Sequence, residues 1–315
     1  MRMIFMGTPQ FAVPTLKALV DAGEDILAVV SQPDRPAGRG QKVVLPPIKQ
    51  YALSKGLTVH QPLKMKDPAF LRYFEGLKPD LAVVVAFGRI LPPEVLKVPK
   101  LGCVNVHASL LPKYRGAAPI QWAVIQGETE TGVTTMYMDE GMDTGPILLQ
   151  ERTTIEPTET AGQLADRLSI MGAQLLTQTL EVLRKGDLKP RPQDPALATY
   201  APLLKKEHGK IRWELEAKQI YNFIRGTDPW PGAYTFYKDQ HWRIYKARVV
   251  DERESALGGE PGQAGRIMKV EKQEALVSTG RGILALLELQ VPNSRRMTFQ
   301  EYLAGHPVEE GVILE

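Results

Sequence analysis

Asn105 and His107 stand one residue apart in Cys103-Val104-Asn105-Val106-His107, where Val104 and Val106 alternate with the other three. That alternation reads as a β-strand, on which residues two apart point to the same face. An imidazole is easily held on either side of its pKa near neutrality. A side-chain amide can donate to a developing oxyanion. Together they suit proton transfer beside a carbonyl that gains charge, although a structural His–Asn pair would use the same spacing. Asp143 lies further on, in Met138-Asp139-Glu140-Gly141-Met142-Asp143-Thr144-Gly145-Pro146. A carboxylate delivered to an imidazole orients it and favours its charged form. Either Asp143 or Asp139 could instead accept hydrogen bonds inside that Gly-containing turn. Cys103 shares the face of Asn105 and His107, so it is either half of a Cys–His nucleophile pair or a small buried apolar residue. Ser109 sits in no elbow motif and reads as a turn residue.

These residues need a scaffold, and the first half of the chain supplies an alternation of strands and helices. Apolar runs at Met3–Met6, Ile26–Val30 and Leu81–Ala86 read as strands, the last of them buried on both faces. Helical spacing recurs at Val13, Leu16, Leu19 and Val20, and again at Leu71, Phe74 and Leu77 after an Asp67-Pro68 start. Such alternation predicts βαβ units in a mostly parallel, Rossmann-like sheet with flanking helices. Asn105 and His107 fall at the carboxyl end of an inner strand, where open α/β sheets bind ligands. Strands at Gly132–Met138 and Ile147–Thr154 precede a long helix opened by Thr160 and closed by Gly186. Four prolines, Pro190, Pro192, Pro195 and Pro202, mark Lys189–Pro202 as a semi-rigid linker. Past it, five short strands separated by Gly and acidic turns predict a small OB-fold-like β-barrel. The expected organisation is a catalytic domain over 1–189, a linker over 190–206 and a barrel domain over 207–315.

The 315 residues are 43% hydrophobic and 24% charged, which excludes a disordered or collagen-like chain. A single cysteine excludes a disulfide framework and Cys-based metal sites, and suits a reducing compartment. The longest apolar runs are too short to span a bilayer, and no signal peptide is seen. No dinucleotide fingerprint follows the first strand, where the text is Gly7-Thr8-Pro9-Gln10, and the five histidines show no metal-ligand spacing. Net charge is only +3, but Pro202–Arg248 carries ten Lys or Arg against five acids. A second basic stretch spans Pro33–Lys49. The two zones suggest a polyanionic partner, the plainer reading being solvated faces.

Three segments resemble the methionyl-tRNA formyltransferases, within the wider group that uses 10-formyltetrahydrofolate. They are Ser31-Gln32-Pro33-Asp34-Arg35-Pro36-Ala37-Gly38-Arg39-Gly40, then Asn105 through Pro112, and Tyr114-Arg115-Gly116-Ala117-Ala118-Pro119. Asp139–Pro146, Ile224-Arg225-Gly226 and Pro229-Trp230-Pro231-Gly232-Ala233 extend the likeness across the chain. The Asn/His/Asp set marks the wider group; the Arg-Pro-Ala-Gly-Arg-Gly loop and the barrel narrow it to the tRNA-directed members.

The resemblance implies that Asn105, His107 and Asp143 are catalytic and that Ser109, Leu110, Leu111 and Pro112 bind folate. It places Arg39 and its loop, with Arg35 and Lys42, at the acceptor end of tRNA. The barrel, with Lys205, Lys206 and Lys210, becomes a platform for the acceptor arm. The donor would be 10-formyltetrahydrofolate and the acceptor initiator methionyl-tRNA, in a cytoplasmic monomer that needs no metal. A transferase acting on a nucleotide-linked amino sugar would share the trio with less use for the basic loop. A glycinamide ribonucleotide formyltransferase would not need the second domain. A non-catalytic OB-fold RNA-binding protein would leave the trio without purpose.

Overall fold

The computed structural model describes residues 1–37, 42–251 and 263–315. In chain order the first half runs β1 (Arg2–Gly7), α1 (Val13–Asp21), β2 (Asp25–Val30), β3 (Arg35–Ala37), β4 (Lys42–Val44), α2 (Pro47–Ser54) and β5 (Val59–His60). Next come α3 (Pro68–Gly76), β6 (Leu81–Val85), α4 (Pro93–Leu96), β7 (Cys103–His107), α5 (Pro119–Ile125), β8 (Glu130–Tyr137), β9 (Ile147–Thr154) and α6 (Ala161–Lys185). The second half has α7 (Ala217–Thr227), β10 (Ala233–Tyr237), β11 (Gln240–Val249), β12 (Ile267–Val270), β13 (Ala275–Ser278), β14 (Ile283–Gln290), β15 (Met297–Thr298) and α8 (Phe299–Leu303).

One compact unit comprises Met1–Pro119, Glu130–Thr154 and Ala165–Pro202. Its seven-stranded sheet has the order β5-β2-β1-β6-β7-β8-β9. Pairing is parallel from β5 to β7 and antiparallel from β7 to β9. The chain leaves β1 toward β2 and β5, then returns to add β6 and β7 on the other side. That reversal opens a crevice at the carboxyl ends of the inner strands. The period-2 alternation of β1 splits its side chains between two cores: Met3 and Phe5 join Leu16, Val83 and Leu176, while Ile4 and Met6 join Phe70, Phe74 and Val84. Helix α3 starts where expected, since Asp67 Oδ1 accepts the Ala69 N–H at 2.8 Å and Pro68 needs no partner. Of the proline-rich stretch read as a linker, residues 190–202 pair with this unit: Arg191 and Ile147 exchange two 2.8 Å backbone bonds, and Arg115 N–H donates to Thr199 O at 2.8 Å.

The second unit comprises Ile120–Thr129, Ile155–Leu164 and Leu203–Glu315. Its antiparallel sheet, β10-β11-β14-β13-β12 with β15 on β14, curls into a half-barrel. Residues 311–315 lie between the two edge strands. Ile267 N–H donates to Val312 O at 2.8 Å, and Phe236 and Glu315 exchange bonds of 2.9 and 3.0 Å. Trp242, Leu284, Leu286 and Phe299 are fully buried inside, and Ile220 and Ile224 of α7 close the core. Ile224-Arg225-Gly226 has a packing explanation. The Arg225 guanidinium donates to Asn222 Oδ1 and to Glu159 O, and a Cβ on Gly226 would come within 2.6 Å of Ile125. Among the described residues no helix is long and apolar enough to cross a membrane.

Candidate active site

Strand β7 ends at His107 between β6 and β8, so its side chains are enclosed: Asn105 is 8% exposed and His107 6%. His107 Nε2 lies 3.0 Å from Tyr114 O. A carbonyl only accepts, so Nε2 carries a hydrogen and donates. The other ring nitrogen, Nδ1, faces Asp143 Oδ2 at 3.7 Å. A ring protonated on both nitrogens would donate from Nε2 to Tyr114 O, with the Asp143 carboxylate facing Nδ1 as a charge beyond hydrogen-bond range. Asn105 does not bond to His107. Its amide makes no hydrogen bond with any described residue, and although the residue is only 8% exposed its polar atoms are not fully enclosed, so the amide stays open to a ligand.

The two aspartates of the Met138–Pro146 loop separate cleanly. Asp139 Oδ1 accepts from Gly141 N–H at 3.0 Å and from Thr144 Oγ1 at 2.7 Å, so it holds the turn. Asp143 adopts left-handed backbone, φ 54°, and its Oδ2 accepts the Gly116 N–H at 2.8 Å. Gly116 itself has φ 124°, and a Cβ there would stand 2.6 Å from Ala201 O. The Tyr114-Arg115-Gly116 motif therefore brings two backbone groups to the site, one for the imidazole and one for the carboxylate.

Ser109 is fully buried, with its hydroxyl donated to Lys113 O at 2.6 Å and its carbonyl accepting from Thr134 Oγ1 at 2.6 Å. Leu111 N–H donates to Thr134 Oγ1 at 3.2 Å, and Leu111 O accepts from Gln150 Nε2 at 2.9 Å. Ser109–Pro112 is thus a rigid turn directly after His107, with Leu110 and Pro112 partly exposed. Cys103 is 2% exposed, and burial pushes its thiol up to about 12, which removes it as a nucleophile.

Sequence reasoning missed a cavity of about 510 Å³ lined by Lys64, Met65, Lys66, Ile90, Leu91, Pro92, Pro93 and Glu140. It joins the segment after β6 to the Met138–Pro146 loop. The available signal was the apolar Ile90-Leu91 in the segment that follows an inner strand, where Ile90 stays 79% exposed.

The basic residues fall in both units. Arg35 donates to Gln32 Oε1 at 2.8 Å, Lys42 belongs to the β3–β4 hairpin, and Arg39 lies outside the described residues. The hairpin's base is held by Lys49 Nζ, 2.7 Å from both Asp34 Oδ2 and Gln61 Oε1; bonds from Lys49 and Gln61 keep the Asp34 carboxyl below its usual range. Lys205, Lys206 and Lys210 are exposed in the second unit. Lys210 edges a cavity of about 320 Å³ there, with Trp122, His208, Arg212 and Phe223. Among the described residues no three His, Cys, Asp or Glu side chains are placed to hold a metal.

An imidazole, an amide and a carboxylate thus come together at the crevice of a Rossmann-like sheet, and comparison with known proteins gives the chain's class. The family model described as formyl transferase matches residues 1–180, and that described as formyl transferase, C-terminal domain matches residues 203–307. The chain is 52% identical over 314 residues to the methionyl-tRNA formyltransferase of Pelotomaculum thermopropionicum, covering 100% of this chain and 98% of that one. It is also 52% identical over 314 residues to that of Moorella thermoacetica, covering 100% and 99%. Among solved structures, a methionyl-tRNA formyltransferase from Clostridium thermocellum matches with TM-score 0.56 at 18% identity, over 80% of this chain and 95% of that one. An N-formyltransferase from Helicobacter canadensis, in complex with folinic acid and dTDP-3-aminofucose, matches with TM-score 0.67 at 22% identity, over 90% and 98%. These structural likenesses establish the fold. The chain belongs to the methionyl-tRNA formyltransferase family.

Proposed function

We infer that the protein transfers the formyl group of 10-formyltetrahydrofolate to the α-amino group of initiator methionyl-tRNA. Asn105 carries the mechanistic reading: an accessible amide that makes no hydrogen bond with any described residue, two residues from a histidine, at the end of an inner strand. The amino nitrogen bonds to the formyl carbon, the bond from that carbon to N10 breaks, and N10 takes up a proton. As the formyl oxygen gains charge, the Asn105 amide donates to it and the His107 imidazolium, whose Nε2–H is held by Tyr114 O, stabilises it by its positive charge. One such donor is typically worth about 3 kcal/mol. Asp143 holds the imidazole and, through water, takes the proton the amine loses.

The folate ring system suits the 510 Å³ cavity at Ile90, Leu91 and Glu140, with the Ser109–Pro112 turn beside the trio. Arg35 and Lys42 of β3 and β4, with Arg39 between them in sequence, contact the acceptor end, and Lys205, Lys206 and Lys210 the acceptor arm, as phosphate and shape readers. The catalytic domain is 1–189 and the barrel domain 207–315, with residues 190–202 of the connecting 190–206 paired to the first unit, and the enzyme works as a cytoplasmic monomer. The test is to supply 10-formyltetrahydrofolate labelled in its formyl group with methionyl-tRNA and, separately, with a nucleotide-linked amino sugar. Label in the tRNA is expected, and label only in the sugar would replace this reading.

A further inference from the structure

Left-handed backbone at a non-glycine residue is unfavourable and persists only where its surroundings enforce it. For Asp143 the enforcing group is Gln193, 50 residues away in sequence. The one side-chain amide donates to Asp143 O and to Gly145 O, at 2.8 Å each. On its other side, Gln193 Oε1 accepts Nε and Nη2 of Arg115, at 3.0 and 2.8 Å. Arg115 is 5% exposed and Gln193 9%. A guanidinium only donates and a carbonyl only accepts, so the amide has one satisfied orientation. The residue after Arg115 is Gly116, whose N–H holds the Asp143 carboxylate. The contacts close a ring: Arg115 side chain, Gln193, the Asp143 main chain, the Asp143 carboxylate, and back to the Gly116 backbone. Three chain segments of the first unit meet in it.

We propose that Gln193 is a positioning residue for formyl transfer, acting through Asp143, and that Arg115 fixes the direction of its amide. The proposal rests on the reading of Asp143 as part of the reacting group. Gln193 sets where the Asp143 carboxylate stands relative to His107 and touches neither substrate.

The experiment is a double-mutant cycle in steady-state kinetics with Gln193→Met, Asp143→Asn and the pair, supported by Gln193→Glu and thermal unfolding of each. Gln193→Met keeps the length and loses both donors, so kcat should fall about 10- to 100-fold, because small misplacements are costly in a preorganised site. KM for methionyl-tRNA and for 10-formyltetrahydrofolate should change by no more than about twofold, since no binding group is removed. Gln193→Glu keeps the Arg115 contact but turns an oxygen toward two carbonyls, and should lose at least as much. In the Asp143→Asn background, Gln193→Met should cost less than about threefold, as expected of residues that act as a unit. An equal loss in both backgrounds, a rise in KM alone, or a Gln193→Met protein that does not unfold cooperatively would assign Gln193 a structural role and overturn the proposal. Impaired Asp143→Asn beside a fully active Gln193→Met would overturn the proposal alone. A fully active Asp143→Asn would bring down the assignment of the trio as well.

Discussion

His107 Nδ1 stands 3.7 Å from Asp143 Oδ2, while the same oxygen accepts the Gly116 N–H at 2.8 Å. The longer distance exceeds hydrogen-bond range, so the carboxylate meets the imidazole as a charge and not through a shared proton. The shorter one ties that charge to a backbone N–H of the segment that also receives His107 Nε2. Imidazole and carboxylate are thereby placed by one piece of main chain, Tyr114–Gly116, although they belong to a strand and to a loop.

His107→Ala and Asp143→Ala should each lower kcat/KM by about 10²–10⁴, the range for removing a positioned acid–base group. Asn105→Ala should cost on the order of a hundredfold or more. Because Asn105 has no hydrogen bond to lose, its melting temperature should hardly change. Calorimetry beside initial rates checks both, and near-normal turnover in any of the three would remove that residue from the mechanism.

For Arg39→Ala the expected outcome is a drop of about tenfold in kcat/KM for methionyl-tRNA, with folate-analogue affinity unchanged. Asp34→Ala should reproduce it in part, because Asp34, directly before β3, binds Lys49 and Gln61. Kinetics with tRNA varied at saturating donor separate the substrates. A loss confined to folate affinity would place this hairpin on the other substrate.

Iodoacetamide at pH 8 should leave the native enzyme active and unmodified. With the Cys103 thiol pushed up to about 12, only about one molecule in 10⁴ carries a thiolate at that pH. Mass spectrometry after unfolding in denaturant should show full labelling. Rapid inactivation of the folded protein would contradict the burial of Cys103.

Asp228→Asn should raise the melting temperature at pH 7, with the advantage shrinking as pH falls. Burial raises the Asp228 carboxyl above its ordinary value and Glu288 adds to this, while Arg296 and Arg243 oppose it without cancelling it. A carboxyl raised in the fold contributes stability below its unfolded pKa and loses it as pH rises through the folded value. Ionised Asp228 therefore opposes folding near neutrality, and the amide removes that cost. Melting curves from pH 4 to 8 decide it; an asparagine variant less stable at pH 7 would show that the carboxylate is well paired.

Gly226→Ala should destabilise the protein by about 1–3 kcal/mol, the usual cost of overpacking. The added methyl would meet Ile125 within 2.6 Å on the side chain and 2.9 Å on the backbone nitrogen. Urea unfolding measures it, and an unchanged midpoint would mean that α7 can withdraw freely.

What the residues declared by themselves was local. The alternation in β7 placed Asn105 and His107 on one face, because a strand's side-chain period is two wherever the strand sits. The apolar run at Leu81–Val85 marked an inner strand, and Asp67-Pro68 marked a helix start, for equally local reasons. The family-specific segments named the chemistry. Only the tertiary structure decided which aspartate serves His107, since Asp139 and Asp143 have the same side chain and differ in backbone conformation. It also showed that Asn105 has no partner among the described residues, because hydrogen-bond satisfaction depends on every segment that comes near. Ile120–Thr129 and Ile155–Leu164 cluster with the second unit, and residues 311–315 fill the space between β10 and β12, through contacts between residues far apart in sequence. Gln193 sits in a proline-rich stretch that reads as a tether. It reaches Asp143 and Arg115 only when loops 50 and 78 residues away fold back on it, which no local pattern records.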